Sequence, residues 1–201
     1  MNSSATGDHL NPVYHTLPVV KKIRTAYGTD RLFHTITLEQ LFRPEVYWIL
    51  ERAAFGAHYR KQSIPAQHAL ASAPIPKKMI ALLKSTELLT LVSRTIGKTV
   101  KQIDGTLFCL GAGDYTLLPD EKGLVRKAGI NLIFEFTPRW NSAWGGAIIY
   151  RTDEGEARTI LAPANSLTII ELRKDVQHYV KYINHHAGAH KKIFILGACS
   201  E

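Results

Sequence analysis

INLIFEFTPRWNSAWGGAIIY fills Ile130–Tyr150, LAPANSLTIIEL fills Leu161–Leu172, and HYVKYINHHAGAHKKIFILG fills His178–Gly197. Each block is built from short apolar runs, rich in Ile, Leu and Phe and bounded by Gly, Pro, Asn or Ser. Runs of this length with such punctuation read as strands rather than helices. The same texture continues upstream in GTLFCL (105–110) and GDYTLL (113–118), and between the blocks in RTILA (158–162). Several short strands in succession from about Val100 predict a mainly β fold with flanking helices. The sheet is expected to be closed or doubled, as in a jelly roll or cupin-like double-stranded β-helix.

The first half of the chain has a different texture. Residues 1 to about 12 are polar and are expected to lack fixed structure. Leu17–Phe33 mixes apolar and basic residues without a clear period and is read as contributing a strand. Pro44 opens a helix over PEVYWILERAAFGA, with Val46, Ile49, Leu50 and Ala53 at helical spacing. A Pro-, Ser- and His-rich loop is expected from His58 to Pro76. Pro76 starts a second helix with Met79, Ile80 and Leu83 facing inward. Ser85 caps a third, with Leu88, Leu89, Val92 and Ile96 on one face and Gly97 as its stop. These helices are expected to lie outside one sheet. The organisation is thus one domain over 1–201, with helical support in 13–99 and a β core in 100–201.

Bulk properties exclude several functions. At 201 residues, with 45% apolar and 21% charged content, the chain can bury a sizeable core. No run reaches the length of a membrane span, and MNSSATGDHLNP has no apolar centre, so neither membrane nor secretory targeting is expected. The formal charge is +8, yet the pairs Lys21-Lys22, Lys77-Lys78 and Lys191-Lys192 are too scattered for a nucleic-acid stripe. That balance could still draw anionic substrates. Cys109 and Cys199 are read as two buried thiols of a cytoplasmic protein, with a disulfide as the alternative.

The quoted blocks resemble the C-terminal half of the prolyl-hydroxylase-like branch of the Fe(II)/2-oxoglutarate oxygenases. Trp140, the Gly145-Gly146 pair, Pro163, Asn165, His178 and Val180 stand where that branch has its Trp, Gly-Gly, Pro-x-x-Asn and His-x-Val, although here Pro163 and Asn165 are separated by one residue. The resemblance implies a jelly roll, a 2-oxoglutarate co-substrate and an Fe(II) site. His178 would be the distal iron ligand. Asp120 would be the carboxylate ligand, because Leu118-Pro119-Asp120 takes the place of the family's His-x-Asp. Leu118 then holds the first His position, and its side chain has no lone pair for a metal. Lys192, five residues before Gly197, would anchor the distal carboxylate of 2-oxoglutarate, with Tyr115 as a nearby hydroxyl donor. His185, His186 and His190 are the first candidates for a replacement ligand, with His34 and His68 also available.

Each residue also has a plainer reading: Asp120 as a turn residue, His178 as a structural His, Lys192 as a strand lysine, the His cluster as a surface loop. Three functions follow. One is a dioxygenase that hydroxylates a small molecule or an amino-acid side chain, favoured by Asp120 and His178. Another is a degenerate oxygenase fold used as a binding or regulatory module or an inactive subunit, favoured by Leu118. The third keeps the jelly roll with a different metal or none, in a non-oxidative reaction. A homodimer is left open.

Overall fold

Among the described residues, the architecture is set by eleven strands that sort into two antiparallel sheets. The computed structural model describes residues 8–30, 32–64, 68–117 and 128–200. The strands are β1 (Thr35–Glu39), β2 (Arg60–Ile64), β3 (His68–Ala73), β4 (Gln102–Leu110), β5 (Tyr115–Thr116), β6 (Gly129–Glu135), β7 (Ile148–Thr152), β8 (Ala157–Ile160), β9 (Ser166–Leu172), β10 (Val176–Val180) and β11 (Lys192–Ser200). The large sheet runs β1-β9-β6-β11-β4-β3-β2, with β5 paired to β3. The small sheet runs β10-β7-β8. The large sheet curls over the small one, giving the double-stranded β-helix with flanking helices that the strand pattern predicted.

Alternation along each strand divides the apolar residues into two cores. Leu107, Leu132, Phe134, Ile193 and Ile195 point outward from the large sheet and pack against helices. Phe108, Leu110, Ile133, Phe194 and Leu196 point inward and meet Ile148, Tyr150, Val176 and Val180 of the small sheet. One face of β11 thus serves the helix layer, and the other lines the barrel.

The helices are α1 (Leu17–Thr29), α2 (Pro44–Phe55), α3 (Lys77–Leu83) and α4 (Thr86–Ile96). The start of α2 at Pro44 agrees with the sequence, as do both ends of α4. The Ser85 hydroxyl accepts from the Leu88 N–H, and Gly97 closes the helix at φ +75°. Elsewhere the local reading needs correction. Leu17–Phe33 supplies helix α1, not a strand: Pro18 sits in its first turn, and Val20, Ile23 and Tyr27 are the buried residues. The segment read as a loop from His58 to Pro76 holds strands β2 and β3. On α3 the buried residues are Met79, Leu82 and Leu83, while Ile80 is exposed. The part of residues 1–12 that is described is ordered, with Leu10 buried and bridged to Phe42. Cys109 and Cys199 are free, half-buried thiols, and burial pushes the Cys199 thiol up to about 12.

Asn165 explains how the N-terminal segment is held. It sits at φ +56°, in the left-handed region that Asn tolerates. Its Nδ2 donates to the Phe42 carbonyl and its Oδ1 accepts from the Phe42 N–H, both at 2.9 Å. Of the candidate motif, then, Asn165 is a latch between the strand block and the N-terminal segment.

Candidate functional site

The inner face of β10 carries Val176, His178 and Val180, with His178 paired across from Tyr150 on β7. The two rings lie 5.3 Å apart between centroids. Tyr150 is fully buried, and its hydroxyl accepts from Asn131 Nδ2 at 3.3 Å. A pocket of about 80 Å³ opens beside this stack. His178 and Thr116 are its polar members; Leu70, Phe108, Leu110, Ile148, Val180, Phe194 and Leu196 make the rest. Burial pulls the His178 pKa below its ordinary value, so the imidazole is neutral at pH 7. Thr116 Oγ1 accepts from the Val180 N–H at 2.6 Å, tying β5 across the mouth to β10.

Tyr115 is one residue from Thr116 and is not among the pocket's lining residues. Its ring packs 6.4 Å from Tyr182. Leu118 and Asp120 lie outside the described residues. His185 and His186 stack on each other at 4.0 Å, and His190 packs 4.7 Å from Trp144 with Nδ1 3.0 Å from the Ala187 carbonyl. Among the described residues, one group of three side chains lies close enough to share a metal ion: Asp8, His15 and Glu87. It is not lined by any residue of the His178 pocket, and Asp8 is already paired with both Arg43 and His15.

Lys192 begins β11 on the inner-face side, in step with Phe194 and Leu196. Its side chain is 1% exposed and its Nζ lies 2.7 Å from Oε2 of Glu135, itself 3% exposed. The second carboxylate oxygen, Oε1, accepts from the Thr137 N–H at 3.1 Å. Lys192 Nζ is also 5.5 Å from the Trp140 ring centre, within reach of a cation–π contact. The Gly pair makes this packing possible. Gly145 and Gly146 have φ +88° and +72°; a Cβ on Gly145 would stand 2.0 Å from the Tyr182 carbonyl, and one on Gly146 2.9 Å from Cδ of Lys192. Trp140 Nε1 donates to the Gly145 carbonyl at 2.9 Å and fixes the turn.

Glu135, Thr137 and Thr116 were not singled out by the sequence. For Glu135 a signal exists: a lone carboxylate inside INLIFEF, flanked by phenylalanines, has to find a partner once buried.

The fold has known counterparts. The structure superposes on a prolyl-4-hydroxylase from Pseudomonas putida with a TM-score of 0.65 at 10% identity, covering 92% of this chain and 100% of that one. A 2OG-Fe(II) oxygenase family protein from Burkholderia pseudomallei gives 0.68 at 6% identity over 90% of both chains. The fold is that of the Fe(II)/2-oxoglutarate oxygenases, in its prolyl-hydroxylase-like form. A prolyl hydroxylase from Trichoplax adhaerens, solved with a peptide fragment of the hypoxia inducible factor oxygen degradation domain, gives 0.65 at 13% identity over 90% of this chain and 89% of that one. No family model and no curated protein sequence matches the chain.

The described residues fit that family's small molecules poorly. A dicarboxylate needs an uncommitted cation inside the barrel, and the Lys192 ammonium already serves Glu135. For iron, which takes several hard or borderline donors, the described residues of the pocket offer the His178 imidazole; Asp120, the expected carboxylate ligand, lies outside the described residues.

Proposed function

We propose that this oxygenase-fold protein does not turn over 2-oxoglutarate and instead uses its barrel pocket to bind a small apolar ligand, as a binding or regulatory module. The observation that carries this reading is the pocket wall among the described residues: seven apolar side chains, with Thr116 and a neutral His178 as the polar members. Thr116 Oγ1 accepts from the Val180 N–H and keeps its own O–H to donate, so Thr116 and His178 can each orient a ligand by one hydrogen bond. Apolar pockets with few polar groups are the usual form of small-molecule sites.

A second reading keeps the enzyme. Burial holds His178 in the neutral form that binds metals, and this favours an Fe(II)-dependent hydroxylase of a small molecule or amino-acid side chain. His178 and Asp120 would then be ligands, a further residue would replace the missing histidine at Leu118, and Lys192 with Tyr115 would hold the co-substrate. Iron would supply oxygen activation. One preparation separates the two. Metal analysis of the purified chain and an assay for succinate formed from 2-oxoglutarate should both be blank, while benzene or indole should shift the methyl signals of Leu70, Ile148, Val180 and Leu196. Stoichiometric iron with succinate formation establishes the enzyme instead.

A further inference from the structure

We propose that Glu135 is a built-in carboxylate ligand. It fills a carboxylate seat made by the Lys192 ammonium and the Thr137 N–H beside Trp140, and so closes that seat to carboxylates from solution. The inference deepens the proposed function, because it gives the physical reason why 2-oxoglutarate is not held.

The seat has donors from separate parts of the chain. Lys192 comes from the start of β11 and Thr137 from the segment just past β6, with Trp140 and Gly146 against the lysine. The Gly146 backbone leaves so little room that even a Cβ would press on Cδ of Lys192, which confines the ammonium. The Thr137 hydroxyl accepts from the Ile193 N–H at 2.7 Å and ties the same turn to β11. An ammonium and a backbone N–H converge on the two oxygens of one carboxylate, at 2.7 and 3.1 Å. Both ionised groups are removed from water. In such surroundings neither charge is tolerated without the other. A carboxylate from solution can enter only by displacing one that is covalently tethered to the same site, and tethering gives Glu135 a high effective concentration. The seat is therefore complete, and it is occupied by the chain itself.

Glu135→Ala tests this directly. The substitution removes a CH2–carboxylate fragment, which acetate replaces almost atom for atom. The melting temperature of the native chain and of the variant is followed against sodium acetate and against sodium chloride at equal ionic strength. Binding to the folded state stabilises it by RT ln(1 + L/Kd) at free ligand concentration L, so the melting temperature climbs with the logarithm of ligand concentration above Kd. The expected result is a rise of several degrees for the variant that grows with the logarithm of acetate concentration, none with chloride, and none for the native chain with either salt. If the variant fails to fold in buffer, refolding from urea is expected to return with acetate and not with chloride. Equal responses of the variant to both salts, failure to refold in acetate, or an acetate response of the native chain would each overturn the proposal. The proposed function fails on different readouts, the iron content and succinate yield of the native chain, so the two can be rejected separately.

Discussion

The two faces of β11 make opposite bargains with water. On the outer face, Ile193 and Ile195 join Leu107, Leu132 and Phe134 beneath the helices, an apolar layer whose stability comes from burial alone. On the inner face, the same strand carries a fully buried ammonium followed by Phe194 and Leu196. The outer face needs only shape and volume. The inner face needs a particular partner, Glu135, and the register that sets Phe194 opposite Glu135 delivers it. A layer of the first kind builds a fold; the inner face carries the proposal that 2-oxoglutarate is not held.

The largest effect that sharpens this contrast is expected from breaking the inner pair on one side. Lys192→Met strands a buried carboxylate and should cost about 3–5 kcal/mol, read by urea denaturation. Adding Glu135→Leu to the same protein should recover most of that loss, because apolar replacements of both partners avoid the desolvation penalty. Should the double variant be no better than the single one, the pair is not what makes the inner face demanding. On the outer face, Leu107→Ala should cost about 2–5 kcal/mol, with no second substitution able to restore it by removing a charge. Next comes Asn165→Ala, which leaves the Phe42 N–H and carbonyl without their partner. A loss of about 1–3 kcal/mol is expected, together with faster amide exchange at Phe42.

The smallest effect is a pH dependence. The folded-state pKa of His178 lies below its unfolded value, so below pH 6.5 the unfolded chain binds the proton that the folded chain refuses. Stability is full above the unfolded pKa and falls as pH drops through it, by at most about 1.4 kcal/mol per pH unit for one proton. His178→Phe should flatten the stability curve between pH 7 and pH 5. A slope unchanged by that substitution would place the protonation elsewhere.

The β core was legible because short apolar runs bounded by turn residues mark most of it, including β6 and β9, which are buried along nearly their whole length. Helix α1 was missed although Val20, Ile23 and Tyr27 do keep helical spacing; Lys21, Lys22 and Arg24 interleave and hide it. Strands β2 and β3 were missed because RKQSI and HALASA lack the β-branched, alternating pattern of a half-buried strand. At the site, the place of His178 on the barrel's inner face follows from its alternation with Val176 and Val180. The partner of Lys192 does not follow from any local pattern. It stands 57 residues away, and only the pairing of β11 with β6 brings the two together.

The account rests on a cation inside the barrel that is already satisfied. Calorimetric titration of the native chain with 2-oxoglutarate, in anaerobic buffer with Fe(II) present, tests that most directly. The expected trace shows heats of dilution only. A saturable, one-to-one binding isotherm would contradict it, since Lys192 would then have to release Glu135 for an outside carboxylate.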